Sequence, residues 1–372
     1  MNTSKYAISS VAVLILLGAG WYISSQRKAP EGEAIKIGAI LTLSGSAALW
    51  GEQLRNAMEM AKEDLAKEGI TVVTFYEDSG GDSAKGVSAY QNLVTIHHVD
   101  VVFSALSRVA VPLIPLADQN KTPLIMTLVS ATDATGKSPY AFRIYNTAAQ
   151  YVEPYFATVL TREKYDSIGI VYVNDEFGVS VRDAIRKNAQ TTGIPVTIEE
   201  SFISNTNDFR TQLTHVKAKK PGALFYVTAS PAEGTNIVRQ AREIEIGADL
   251  FDGSNILSSD AVRQDLGVAA NGVYVTVFPF VLGTTGEAFR QAYKERYQEE
   301  PIFAAPFGYD TVLFVAQVTE GKKMSGDDFI KNAARLTSFD SLNGKLSVSP
   351  DREVNPTLTA VQVVDGKLVP IK

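Results

Sequence analysis

The chain of 372 residues contains no cysteine. That absence excludes structural disulfides, thiolate metal sites, cysteine nucleophiles and a lipid-modified N-terminal cysteine together. Histidine is scarce, limited to His97, His98 and His215. The adjacent pair has the wrong spacing for two ligands on one helix face, and no acid sits beside it at metal spacing, so no metal site is implied. Neither G-x-G-x-x-G after a strand nor G-x-x-x-x-G-K-[ST] occurs, and no cofactor is implied. Gly80-Gly81 reads as a strand-to-helix turn rather than a phosphate loop. A net charge of −6 disfavours a nucleic-acid surface, and Lys217, Lys219 and Lys220 read as a solvated helix end. The acidic pairs Asp175-Glu176 and Asp327-Asp328 stand at helix starts, where capping explains them better than catalysis. No convergent acid, base and nucleophile can be assembled, so an enzyme is not expected.

What the chain does have is a repeated strand, turn and helix. Residues 35–65 read IKIGAILTLSGSAALWGEQLRNAMEMAKEDL. Ile35, Ile37, Ala39, Ile40 and Leu41 form the apolar run of a parallel strand covered on both faces, and Ser44-Gly45-Ser46 ends it. Leu54, Ala57, Met58, Ala61 and Leu65 then fall on one helical face. Strands follow at 70–76, 101–103 and 124–127, with helices at 82–94 and 109–119. A second series has strands at 167–173, 196–198, 223–228, 250–252 and 273–277, and helices at 179–189, 208–216, 232–244 and 260–266. One core stops growing at roughly 250 to 300 residues, so two α/β lobes fit better than one very wide sheet.

Ahead of them, residues 7–23 are uncharged and mostly apolar, preceded by Lys5 and followed by Arg27-Lys28. They read as an export element, cleaved or retained as a membrane anchor, and the lack of a clean A-x-A site favours retention. Ligands of open α/β sheets bind beyond the carboxyl ends of the strands. Ser107 and the Ser130-Ala131-Thr132 run stand there, as do Trp50 and Phe177 in turns entering helices. Capping explains each hydroxyl taken alone, and core packing each ring, but their recurrence at equivalent strand ends in both series favours a ligand.

The order and spacing of these segments resemble the type I periplasmic solute-binding proteins, specifically the branched-chain amino-acid-binding (leucine/isoleucine/valine) group serving ABC importers. The resemblance rests on the segment quoted above together with YEDSGGDSAKGVSAYQNLV, SALSRVAVPLIPLADQNKTPLI, SATDAT, FRIYNTAAQ, IGIVYVNDEFGVS, NDFRTQLTHVKAKKPGALFYV, NGVYVT and FGYDTVLFVAQV. It implies two doubly wound Rossmann-like lobes joined by three crossovers, closing by a hinge on a small organic ligand. Lobe one would hold residues 34–146 and 279–337, and lobe two residues 147–278 and 338–372, with 1–33 as export signal or uncleaved anchor plus linker. By the family pattern the ligand head group is gripped at Ser107, Ser130 and Thr132, and the family's aromatics fall on Trp50 and Phe177. Its ammonium-gripping aromatic hydroxyl and acid fall on Ala229 and Asn255. A buried ammonium without an anionic partner is costly, so an α-amino acid fits no better than a small carboxylate or amide. Arg108 offers a bidentate contact to a carboxylate, or stands exposed on its helix. The expected partner is an ABC permease at the outer face of the membrane, in the periplasm or its equivalent. A membrane-anchored sensor reporting to a separate partner is the alternative.

Overall fold

The computed structural model describes residues 34–161 and 164–371. The segment 7–23, expected to be an export element, lies outside the described residues, and no helix within them is long and apolar enough to cross a membrane. The first half runs β1 (Ile35–Leu41), α1 (Ala48–Lys67), β2 (Val72–Asp78), α2 (Ser83–Thr95), β3 (Val101–Ala105), α3 (Ser107–Ala110), α4 (Ile114–Asn120), β4 (Leu124–Thr127) and β5 (Ala141–Ile144). Where periodicity predicted one helix over 109–119, Pro112 and Pro115 divide it, because proline lacks the N–H that a continuous ladder needs.

The second half follows with α5 (Ala148–Thr158), β6 (Ile168–Val173), α6 (Glu176–Thr192), β7 (Val196–Phe202), α7 (Arg210–Lys219), β8 (Ala223–Val227), α8 (Pro231–Glu243), β9 (Asp249–Asp252), α9 (Asp260–Leu266) and β10 (Tyr274–Val277). The chain then returns through α10 (Glu287–Tyr297), α11 (Ala305–Thr319), α12 (Gly326–Ala333), the hairpin β11 (Ser338–Ser341) and β12 (Gly344–Ser347), and β13 (Glu353–Val354). It ends on β14 (Thr359–Val364) and β15 (Lys367–Pro370).

Two sheets carry the fold. The first, ordered β13-β5-β4-β3-β1-β2, is wholly parallel. The second, ordered β15-β14-β10-β9-β8-β6-β7, is parallel except at β14 and β15. Strands β3, β4, β5, β6 and β8 are buried along their whole length, as expected of parallel strands covered by helices on both faces. The chain passes between the sheets three times, after β5, after β10 and after β13.

The last passage comes later than the sequence boundary at Ser338 put it. Hairpin β11–β12 stays with α11, where Asp310 accepts from Ser341 Oγ at 2.5 Å and Leu342 N at 2.8 Å. Glu353 and Val354 pair with Arg143 and Ile144 of the first sheet, and only β14 and β15 join the second. Two paired residues are too short a run for any hydrophobic period to reveal.

Candidate ligand cleft

Trp50-Gly51 and Phe177-Gly178 occupy matching places, each in the first turns of the helix after its lobe's first strand. A β-carbon on Gly51 would stand 2.0 Å from Thr42 O, and one on Gly178 only 1.8 Å from Val173 O. Only glycine permits the helix start to press so closely on the strand end, and that approach fixes the aromatic residue before it at the strand's carboxyl edge. Both rings line one cavity of about 460 Å³, its open mouth included, between the two lobes. Trp50 stands edge-on to Phe303, with ring centroids 6.1 Å apart, and Tyr145 adds a fourth ring to the wall.

On the first lobe, Leu106, Ser107, Arg108 and Leu128 complete the wall. Leu106 has φ 71° and Leu128 φ 52°, left-handed conformations that cost a branched residue about 1–3 kcal/mol each. They fall at the ends of β3 and β4, where backbone strain in the walls of one cavity points to function. Ser107 Oγ accepts the Ser130 N–H at 3.2 Å, leaving its own hydroxyl hydrogen to donate.

On the second lobe the wall is Asp175, Phe177, Thr228, Ala229 and Ser254. Asp175 caps α6 by accepting from Gly178 N at 2.9 Å, as its place before a helix predicts, and it also faces Arg108 Nη1 at 3.5 Å. The same Nη1 donates to Ser204 Oγ at 2.7 Å. Behind the wall, buried Glu233 accepts from Asn205 N at 2.6 Å and Ala229 N at 2.7 Å. Burial holds both carboxyls above the ordinary carboxylate range, and the Arg108 guanidinium together with these backbone amides pulls them partly back. Arg108 is therefore neither a free ligand clamp nor an exposed surface residue. It bridges the lobes, yet its buried Nε has no partner among the described residues.

The eight residues singled out by sequence separate here. Trp50, Ser107, Arg108, Phe177 and Ala229 lie in the cavity wall. Ser130 is fully buried one step behind it, bonded to Ser107, with its own Oγ unpartnered. Thr132 is exposed and outside the wall, contrary to expectation. The Ala131 carbonyl is drawn inward by Arg143 at 2.7 Å and Asp133 turns left-handed at φ 55°, so the chain swings Thr132 out to solvent. Asn255 is also outside the wall. It is fully buried at φ 60°, its side-chain amide has no partner among the described residues, and its neighbour Ser254 takes the place in the cavity. The acid of this loop is Asp252, which folds the loop back by accepting from Ser254 N and Leu257 N.

Residues 34–367 match the model of the family described as "Periplasmic binding protein". The chain belongs to that family. Among similar periplasmic binding proteins, the Leu/Ile/Val-binding protein BraC3 of Rhizobium johnstonii is 26% identical, the match covering 68% of this chain and 70% of that one. A solute binding protein of an ABC transporter from Rhodopseudomonas palustris BisB5, solved with 3,4-dihydroxybenzoic acid, superposes with a TM-score of 0.79. It is 23% identical, over 91% of this chain and 96% of its own. The branched-chain amino acid transporter substrate binding protein LivJ of Streptococcus pneumoniae, solved with isoleucine, gives a TM-score of 0.78 at 23% identity, over 90% and 97%. Similarity at this level shows the shared two-lobe fold.

Leu128, Tyr145, Phe303 and Ser254 were not singled out from sequence. Leu128 and Tyr145 follow directly on strands β4 and β5, so strand ends were the signal available for them. Phe303 enters from a segment just before α11, far along the chain, and carried no such signal.

Proposed function

We propose that this protein captures a small organic acid with an apolar body, preferably aromatic, and presents it outside the cytoplasm to an ABC importer. The observation that carries this reading is the charge inventory of the cavity. Among the described residues its wall holds one guanidinium with an unpartnered Nε, and its one carboxylate, Asp175, is already engaged by Gly178 and Arg108. A ligand carboxylate meets a cation and the Ser107 hydroxyl there, whereas an α-ammonium would meet no free anion and would bear its desolvation unrelieved. Rings from both lobes, Trp50 and Phe177, suit a flat apolar body held between them. The two solved structures named above are binding proteins of transporters, which supports transport as the use of the cleft. Binding stabilises the closed arrangement, the form a permease distinguishes from the open one.

Thermal unfolding against aromatic acids, aliphatic acids, amides and α-amino acids tests this, since a ligand that binds only the folded state raises the midpoint. A rise with acids lacking an α-ammonium is expected. A rise confined to α-amino acids would sink the ligand assignment, and no rise with any of them would sink capture itself.

A further inference from the structure

We propose that Arg143, paired with Glu353, is the positioning residue of the cleft, joining the ligand-side loop 128–135 to the crossovers between the lobes. This rests on the reading of the cleft as a ligand site. Arg143 is among the largest fully buried side chains of the protein. Its Nη1 donates to Ala131 O at 2.7 Å and Val129 O at 3.3 Å, the carbonyls on either side of Ser130. Its Nη2 donates to the Glu353 carboxylate, on the residue that faces it in register across β5 and β13. Thr135 Oγ1 also donates to Glu353, at 3.0 Å, and Arg352 Nη2 to Thr135 O at 2.6 Å. Both ends of the loop are thereby tied to the strand that leads into the third crossover.

The crossovers are tied to each other just beyond. Asn355 Nδ2 donates to Tyr145 O at 2.6 Å, and Asn146 Nδ2 donates to Pro356 O at 2.8 Å. The Ser130 carbonyl accepts from Ala148 N, the first residue of α5 after the first crossover, at 2.9 Å. Ser130 thus connects cavity and hinge, with its N–H on Ser107 in the wall and its C=O on the far side of the crossover. A shift of Ser107 on ligand contact moves Ser130, and Ser130 cannot move without disturbing Ala148 or the carbonyls that Arg143 grips.

A buried ion pair is weak evidence for stability, because an apolar residue of similar volume often serves as well or better. What an apolar residue cannot do is satisfy two buried loop carbonyls beside a backbone already strained at Leu128. The placement therefore points to geometry rather than stability as the role of the charge.

The test compares the full chain with Arg143→Met, Arg143→Lys and Glu353→Gln by amide hydrogen exchange without ligand, together with the melting midpoint. Affinity for the best-binding acid of the panel is then measured. The expected result in Arg143→Met is at least about tenfold faster exchange at the Ser130 and Ala148 amides, with the strands of both sheets unchanged. Affinity falls by a similar factor, and Arg143→Lys recovers part of both losses. Unchanged exchange at those two amides, or faster exchange spread evenly over both lobes, would overturn the proposal. Should Arg143→Met fail to fold, Glu353→Gln, which keeps a neutral acceptor, decides the question on the same two amides. If no acid binds the unaltered protein, the functional reading fails while the exchange result still decides the relay.

Discussion

The two walls of the cleft differ in what they place at their strand ends. On the first lobe, β3 and β4 finish in leucines held at positive φ, Leu106 and Leu128, followed by a serine and the guanidinium of Arg108. On the second, β8 and β9 finish in small residues, Thr228-Ala229 and Gly253-Ser254, with the half-buried carboxyl of Asp175 and the buried one of Glu233 close by. One wall carries strain and positive charge; the other carries negative charge and room. The guanidinium lies near two carboxyls that burial holds above their ordinary range; on the reading proposed above, a ligand acid competes with Asp175 for that cation. On the same reading, this charge asymmetry favours an anion over a zwitterion.

The strongest way to break this asymmetry is Arg108→Met. Hydrogen bonds to charged groups contribute about 1.5–3 kcal/mol each, so affinity for the acid ligand should fall about a hundredfold by calorimetry. The Asp175 and Glu233 carboxyls should titrate higher still, since the cation that lowers both is gone. Retained affinity would confine Arg108 to bridging the lobes.

Each lobe also encloses one fully buried carboxyl away from the ligand, and the two should differ in pH dependence. Burial pushes Asp310 up to about 7 and Asp252 up to about 6. A carboxyl whose folded value is raised holds its proton more tightly in the native state than in the unfolded chain. Its stabilising contribution is present at low pH and is lost as pH rises from the ordinary aspartate range through the folded value. Asp310→Asn should therefore gain stability relative to the unaltered protein as pH rises from about 4 to about 7 in denaturant titrations. For Asp252 the change should be complete about one unit lower. A flat difference for Asp310→Asn across that range would count against a buried, raised carboxyl at this position.

Shortening Trp50 and Phe177 separately to alanine compares the two walls ring by ring. Each should weaken an aromatic acid by about 1–2 kcal/mol, roughly five- to thirtyfold, in the same calorimetric assay. Loss with Trp50→Ala alone would mean that the second lobe contributes polarity and space rather than an apolar face.

Much of this was legible in the sequence, and what escaped had physical reasons. The apolar run of β1, the turn at Ser44-Gly45-Ser46 and the helical face of α1 follow from spacing alone, and so do Trp50 and Phe177 as entries to matching helices. Thr132 was misplaced because its orientation is set by Arg143, distant in sequence, gripping the preceding carbonyl. Asn255 was misplaced by one residue, because Asp252 folds its own loop and turns Ser254 to the cavity. Asp175 was recognised as a cap, but a cap that also faces a cation across a cleft has no local signature. The pairing of β13 with β5 was invisible for the same reason, a two-residue strand being fixed by its neighbour rather than by its own pattern.

The finest distinction between the walls lies in two hydroxyls. Ser254 Oγ accepts the Thr228 N–H at 2.6 Å, whereas Ser130 Oγ is buried without a partner. Removing the acceptor orphans a buried amide, so Ser254→Ala should lose about 1 kcal/mol or more of stability in denaturant titrations. Ser130→Ala removes a hydroxyl that already lacks a bond and should change stability by no more than about 0.5 kcal/mol. Binding should reverse the order if the unpartnered hydroxyl serves the ligand: Ser130→Ala then weakens the acid while leaving the fold intact, and Ser254→Ala weakens it only as far as the second wall is disturbed. Equal stability losses in the two variants would mean that Ser130 Oγ has a structural partner, and the first wall would then differ from the second in strain and charge alone.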